Sequence, residues 1–222
     1  QATSVNAAQI ASLGAAAKRA LKAFVGNGWV EADFTSSRRD QTDFARQLIL
    51  TPEQAHTCRD IGEQQDSFVV WLLHGITGSG KTEIYLQTID AVLRAKKQAL
   101  VLLPEINLTP RVEELFRARF PDARIVCLHS VVSEAERARH FLAAQAGEAD
   151  IVIGTRLAVF TPLPRLGVIV VDEEHDASYK QNDGLRYNAR DLAIYRAKQR
   201  KVPVILGSAT PSLESYANAR AG

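Results

Sequence analysis

The chain of 222 residues contains no methionine and only two cysteines, Cys58 and Cys127. Without a methionine it lacks a natural start, so it reads as a piece of a longer protein. Two cysteines far apart, in no C-x-x-C spacing, cannot build a zinc cluster. They read as core thiols of a reducing, cytosolic protein. No apolar run approaches the ~18 residues of a membrane span. No charged start followed by an apolar stretch marks a secretory signal. A strong charge of either sign is missing too: the net charge is +2 and the pI near 8.6, which alone identifies no polyanionic partner. What is present is an ordinary globular composition, 46% hydrophobic, enough for one α/β domain with an appendage.

Residues 1–33 are alanine-rich. Ala7 to Ser12 and Ala15 to Val25 have helix patterns, Gly26-Asn27-Gly28 is a stop signal, and Trp29 to Ala32 alternates like a strand. Part of a winged helix and a helical packing arm both fit. Polar residues 34–47 read as a linker. From residue 48 short apolar runs recur at 69–73, 99–103, 125–128, 151–153, 168–171 and 202–206, with helix-length stretches at 83–95, 111–119 and 133–146. Continuous apolar strands separated by helices predict an α/β fold, a parallel sheet covered by helices on both faces.

Gly75-Ile76-Thr77-Gly78-Ser79-Gly80-Lys81-Thr82 fits the phosphate-loop pattern G-x-x-x-x-G-K-[ST] at every fixed position, between an apolar strand and a helical pattern. Glycines let backbone N–H groups approach a phosphate chain, and the helix N-terminus adds its dipole. Thr77, Gly78, Ser79, Gly80, Lys81 and Thr82 are therefore the candidate nucleotide contacts. Lys81 is expected on the β- and γ-phosphates and Thr82 on Mg²⁺. Asp172-Glu173-Glu174-His175 follows the apolar run 168–171, and ligands sit at strand ends of such sheets. Asp172 suits the Mg²⁺ shell and Glu173 suits polarisation of the attacking water. His175 in such a box, with Ser208 and Thr210 after the last strand, is suited to couple two sites. Gln54, upstream of the first strand, can read adenine through its two-sided amide.

Together these segments resemble helicase superfamily 2. The phosphate loop matches motif I, Asp172 to His175 a DExH box and Ser208-Ala209-Thr210 motif III. Pro104-Glu105 and Thr109-Pro110 resemble motif Ia, and Gly154-Thr155-Arg156 motif Ib. The strings LLPEINLTP, LHS, IVIGTRLAVFTP, VDEEHDASYKQ and RYNARD narrow the resemblance to the bacterial primosomal replication-restart helicases, over roughly residues 48–218. The resemblance implies a RecA-like motor lobe 1 at 48–222, preceded by the end of a winged helix at 1–33. It also implies an ATP- and Mg²⁺-dependent 3′→5′ DNA helicase that restarts stalled forks. The family's zinc site, second motor lobe and other domains are expected outside this chain. Implied partners are forked or single-stranded DNA, single-strand-binding protein and other primosome proteins, with no membrane, for a cytoplasmic monomer. A lone lobe 1 would lack the arginine finger of lobe 2 and turn over almost no ATP.

Residues 176–191 resemble the aromatic-rich loop that couples DNA to ATP hydrolysis in that family. Its candidates for DNA are Tyr179, Lys180, Arg186, Tyr187 and Arg190, with Thr155 and Arg156 from motif Ib. From Tyr179 to Lys201 seven Lys/Arg face two Asp, a local excess that suits a phosphate backbone. Leu185 stands where an aromatic is expected and Asn188 where a histidine is expected. One lost stacking ring is worth ~1–3 kcal/mol, which tunes coupling without abolishing it. Two readings from other classes stay open: a P-loop kinase or nucleotide switch, and a winged-helix DNA-binding module with a non-catalytic scaffold.

Overall fold

A computed structural model describes residues 50–221. The expectations for the partial winged helix, 1–33, and the linker, 34–47, lie outside the described residues. Helix α1 (Pro52–Glu63) opens on a capping box: the Thr51 hydroxyl accepts the Gln54 N–H, and the Gln54 side chain takes the Thr51 N–H in return. Pro52 sits at the first helical position, where its missing donor costs nothing.

The sheet builds as the apolar runs predict. In chain order β1 (Val70–His74), α2 (Lys81–Arg94), β2 (Gln98–Leu102), α3 (Pro110–Arg119), β3 (Ile125–Leu128), α4 (Glu134–Gln145), β4 (Ile151–Gly154) and β5 (Leu166–Val171) alternate strand and helix. A two-stranded hairpin of β6 (Lys180–Gln181) and β7 (Tyr187–Asn188) follows, then α5 (Ala189–Arg200), β8 (Val204–Ser208) and α6 (Leu213–Ala221). The main sheet runs β1-β8-β5-β2-β4-β3, and every pair in it is parallel.

Period-two alternation sends each central strand to two cores. Val168 and Val170 join one cluster with Ile84, Ile89 and Phe116, under α1, α2 and α3. Ile169 and Val171 join the other with Ala144, Ala193 and Ala197, under α4 and α5. Strands buried on both faces must be apolar throughout, which is why β2, β4 and β5 show no polar alternation. Parallel order also puts the ends of β1, β5 and β8 on one edge. The phosphate loop, the acidic box and the Ser208 segment leave from that edge together.

The Asn188 departure has a local cause. Its side chain accepts the Arg190 N–H and caps α5, and asparagine is among the best N-cap residues. Leu185 stands 75% exposed near the hairpin tip.

Candidate active site

The phosphate loop takes its shape from two left-handed glycines, Gly78 (φ 81°) and Gly80 (φ 85°). A Cβ on Gly75 would meet Ser79 Oγ at 2.5 Å, and one on Gly80 would meet Gln54 Nε2 at 2.3 Å. Above Gly78 the space is open, with no atom within 4 Å. Gly80 is the N-cap of α2 and no side chain caps that helix, so its first N–H groups and dipole face the loop. The Lys81 ammonium donates to the carbonyls of Gly75 (2.7 Å) and Ile76 (3.3 Å). Thr82, exposed on the first turn, lines a cavity of about 360 Å³ with Asp172 and Tyr85.

Asp172 follows β5 directly. Burial pushes its carboxyl above the ordinary value, and the Tyr85 hydroxyl and Lys81 draw it partly back. Tyr85 donates to Asp172 Oδ1 at 3.0 Å. Burial, with Asp172 beside it, drives that phenol far above its usual range, so it stays a donor. Tyr85 was not singled out from the sequence. The signal for Tyr85 was its place one turn beyond Lys81, on the same side of the helix. Gly207 must be glycine because a Cβ there would stand 1.5 Å from the Tyr85 hydroxyl.

Glu173 has φ 46°, a left-handed conformation that costs a non-glycine residue about 1–3 kcal/mol. Its neighbours hold it there. The Asp172 N–H donates to Leu102 O, the Glu174 N–H to Gly207 O and the Asp176 N–H to Glu173 O. Glu174, whose side chain is fully buried, accepts from Arg190 Nη1 (3.0 Å), the Ser212 N–H (2.6 Å) and the Ser215 hydroxyl (2.9 Å). Burial alone would raise its carboxyl, but these donors hold it below the ordinary value.

His175, Ser208 and Thr210 meet. His175 Nδ1 is 2.7 Å from Ser208 Oγ, and Nε2 is 3.3 Å from Thr210 Oγ1. The Thr210 N–H donates to Ser208 Oγ at 3.0 Å. Glu173 Oε2 lies 3.7 Å from the same imidazole, so one ring joins the ends of β5 and β8.

Three expectations change, for Tyr179, Arg190 and Thr155. Tyr179 is 1% exposed and its hydroxyl faces the Asp172 carbonyl (2.6 Å) and the Leu102 carbonyl (3.0 Å). It is a core residue, not a stacking ring for DNA. Arg190 is 7% exposed and bound to Glu174, Asp191 and Glu214, so its charge is spent inside the protein. The Gln54 amide accepts from Thr51 N–H and donates to Ser79 O at 2.9 Å. It braces the phosphate loop, with one N–H and one lone pair of the amide left over. Thr155 is 6% exposed, which leaves little of it for a phosphate.

The remaining candidates lie around the hairpin. Lys180 and Arg186 are exposed. Half-buried Arg156 points Nη1 at the carbonyls of Ser178 (3.4 Å) and Lys180 (3.5 Å). Tyr187 packs edge-on against Phe160, with ring centroids 5.0 Å apart. Phe160, which the sequence reading passed over, is 48% exposed. Among the described residues no helix is long and apolar enough to cross a membrane.

The family model described as DEAD/DEAH box helicase matches residues 51–219. Replication restart protein PriA of Haemophilus influenzae is 54% identical over 155 residues, covering 70% of this chain and 21% of that protein. Replication restart protein PriA of Bacillus subtilis is 48% identical over 177 residues, covering 79% of this chain and 22% of that protein. The chain thus spans about a fifth of the length of these curated relatives. Among solved structures, RecG bound to a three-way DNA junction superposes with a TM-score of 0.59 at 23% identity, covering 82% of this chain and 24% of that one. At that identity the likeness carries the fold alone, an α/β fold of RecA-like type.

Proposed function

The chain belongs to the DEAD/DEAH box helicase family, and on that premise we propose that it is the ATP-binding first motor lobe of a replication-restart helicase like PriA. The observation that carries the reading is the joined edge: the Lys81 charge acts on Asp172, and Glu173 stands beside an imidazole that ties Ser208 and Thr210 to the acidic box.

The residues present fit a polyphosphate with a divalent cation. The glycine cradle admits no Cβ at Gly75 or Gly80 without displacing a neighbour, and a carboxylate and a hydroxyl line one cavity beside it. Bound Mg²⁺ would neutralise charge on the phosphate oxygens. Thr82 and Asp172 would hold the ion. Residues 77–80 present backbone N–H groups, Lys81 turns its ammonium from two carbonyls to phosphate oxygens, and Glu173 accepts a proton from the attacking water. His175, through Ser208 and Thr210, reports the state of that site to the β8 exit.

DNA, single-stranded or forked, is held through its phosphates by Lys180, Arg186 and Arg156, without reading sequence. Unwinding with 3′→5′ polarity, contacts with single-strand-binding protein and primosome proteins, a monomeric state and a cytoplasmic location complete the proposal. A kinase or switch has no use for the His175 bridge, and a bare scaffold has none for the Lys81 loop.

Two titrations on the same chain test the reading: Mg²⁺–ADP binding, and single-stranded DNA binding as a function of salt. A motor lobe binds both, a kinase or switch only the first and a scaffold only the second. Arg156→Ala should lower the log–log salt slope by about one unit, equally for unrelated sequences. A loss that depends on sequence would contradict a backbone role.

A further inference from the structure

Glu83 follows Thr82 in the first turn of α2 and is 7% exposed. The helix end that is to hold a polyphosphate thus carries a negative charge of its own. The helix dipole favours an acid in a first turn, but the same acid repels the phosphate oxygens of a ligand. Burial does not silence it. After burial itself, the Glu83 charge is what pushes the Cys58 thiol on α1 up.

Arg119, in the last turn of α3, meets this charge. Its side chain is 6% exposed, and Nη2 donates to Glu83 Oε1 at 3.4 Å. The same oxygen accepts from Gln87 Nε2 at 2.8 Å. The guanidinium is also held from its own side, 6.0 Å from the Phe120 ring centroid and at the negative end of the α3 dipole. Among the described residues Glu83 is the one carboxylate it meets, and its buried Nε finds no acceptor. Helix α3 brings Val112 and Phe116 to the cavity that Thr82 and Asp172 line, so the pair sits behind one wall of the candidate site.

We infer that Arg119 is a positioning residue for nucleotide binding: by neutralising Glu83 it keeps the first turn of α2 attractive to phosphate. The inference deepens the reading of residues 75–82 as a nucleotide phosphate loop and rests on it. The sign of the effect separates it from a purely structural pair. If the pair only holds α2 to α3, loss of either partner loosens the site and weakens binding. If Arg119 cancels a charge, the two losses act in opposite directions. Without Arg119 the phosphates face an uncompensated acid, and without Glu83 they gain a surplus cation.

Arg119→Met, Arg119→Lys, Glu83→Gln and Glu83→Gln with Arg119→Met are made in residues 1–222. Binding of Mg²⁺–ADP and Mg²⁺–ATP is titrated, and the thermal midpoint of each variant is recorded. Arg119→Met should raise the ADP Kd about tenfold, the effect of one uncompensated charge across a partly buried gap, and the ATP Kd by more. Arg119→Lys keeps the charge and should stay within about twofold of the parent. Glu83→Gln should tighten both nucleotides, and the combined variant should return close to the parental values. Glu83→Gln retains an amide oxygen for Arg119 and carries the test if Arg119→Met does not fold. In a protein extended to the length of the PriA relatives, the ATP KM should follow these shifts while kcat stays near the parental value, because the charge meets ground state and transition state alike. Weaker binding in Glu83→Gln, or equal shifts for ADP and ATP, overturns the inference. A parental chain that binds neither nucleotide refutes the phosphate-loop reading itself, and the inference with it.

Discussion

Asp172 and Glu174 stand two residues apart at the end of one strand, and their carboxyls are driven in opposite directions. Burial raises Asp172, which draws one side-chain hydrogen bond, from Tyr85. Glu174 is at least as deeply buried, yet it is held below its ordinary value by Ser212, Arg190 and Ser215. The difference lies in donors, not depth. Glu174 is satisfied within the protein and serves as a joint between β5, α5 and α6. Asp172 keeps oxygen lone pairs facing the cavity it shares with Thr82, which suits a ligand for a cation. One acid is closed by its donors; the other is open, as the proposed cation site requires.

The largest effect that would break this comparison is on the open side. Lys81→Ala should cut turnover in the extended protein by at least about 10²-fold, as loss of a preorganised charge donor does, and weaken nucleotide binding in residues 1–222. Isothermal titration and phosphate release check the two halves, and unchanged turnover would remove Lys81 from the phosphate role.

On the closed side Glu174→Gln should cost about 2–3 kcal/mol of stability at neutral pH, because Arg190 loses one of its ionic partners. The carboxyl is held low in the fold, so its contribution is complete above the unfolded carboxylate value. It is lost as pH falls through the lower folded value. Urea melts of parent and variant should therefore converge on acidification. A gap that persists at low pH would show that shape, not charge, makes the joint.

Gly207→Ala should cost about 1–3 kcal/mol by overpacking, since the new methyl would meet the Tyr85 hydroxyl. In a Tyr85→Phe background the cost should shrink, and equal costs in both backgrounds would sink the contact. The smallest effect concerns the apolar face behind Asp172. Cys127 lies in the same cluster as Tyr85, and burial pushes its thiol up to about 12. At pH 8 it should resist iodoacetamide while half-buried Cys58 reacts more readily. Rapid alkylation of Cys127 would mean the face is wet.

Much of this could be read directly. The six strand runs were visible because doubly buried strands are apolar throughout, and the phosphate loop and acidic box are spelled out in contiguous residues. Helix α5 was not visible as a helix: its buried stripe is Ala189, Ala193 and Ala197, too weakly apolar to stand out among arginines and lysines. Tyr179 and Arg190 were assigned to DNA through the resemblance of their loop, and neither a motif nor a residue type tells which way a side chain faces. Their direction depends on the Leu102 carbonyl of β2, the Asp172 carbonyl just after β5 and the Glu174 carboxylate. The brace that Gln54 gives the phosphate loop through the Ser79 carbonyl was not legible either, because it joins residues 25 apart in the chain.

The most direct test of the central claim is steady-state phosphate release from residues 1–222 and from the chain extended to the length of its relatives, each with and without single-stranded or forked DNA. An arginine supplied from a second lobe is worth ~10³–10⁵ in rate, and solvent screens the charges of a half-site. The expected result is nucleotide binding with almost no turnover for residues 1–222, and DNA-stimulated turnover for the extended chain that Glu173→Gln abolishes. Equal turnover by the two proteins would contradict the assignment of this chain as one half of a two-lobed motor.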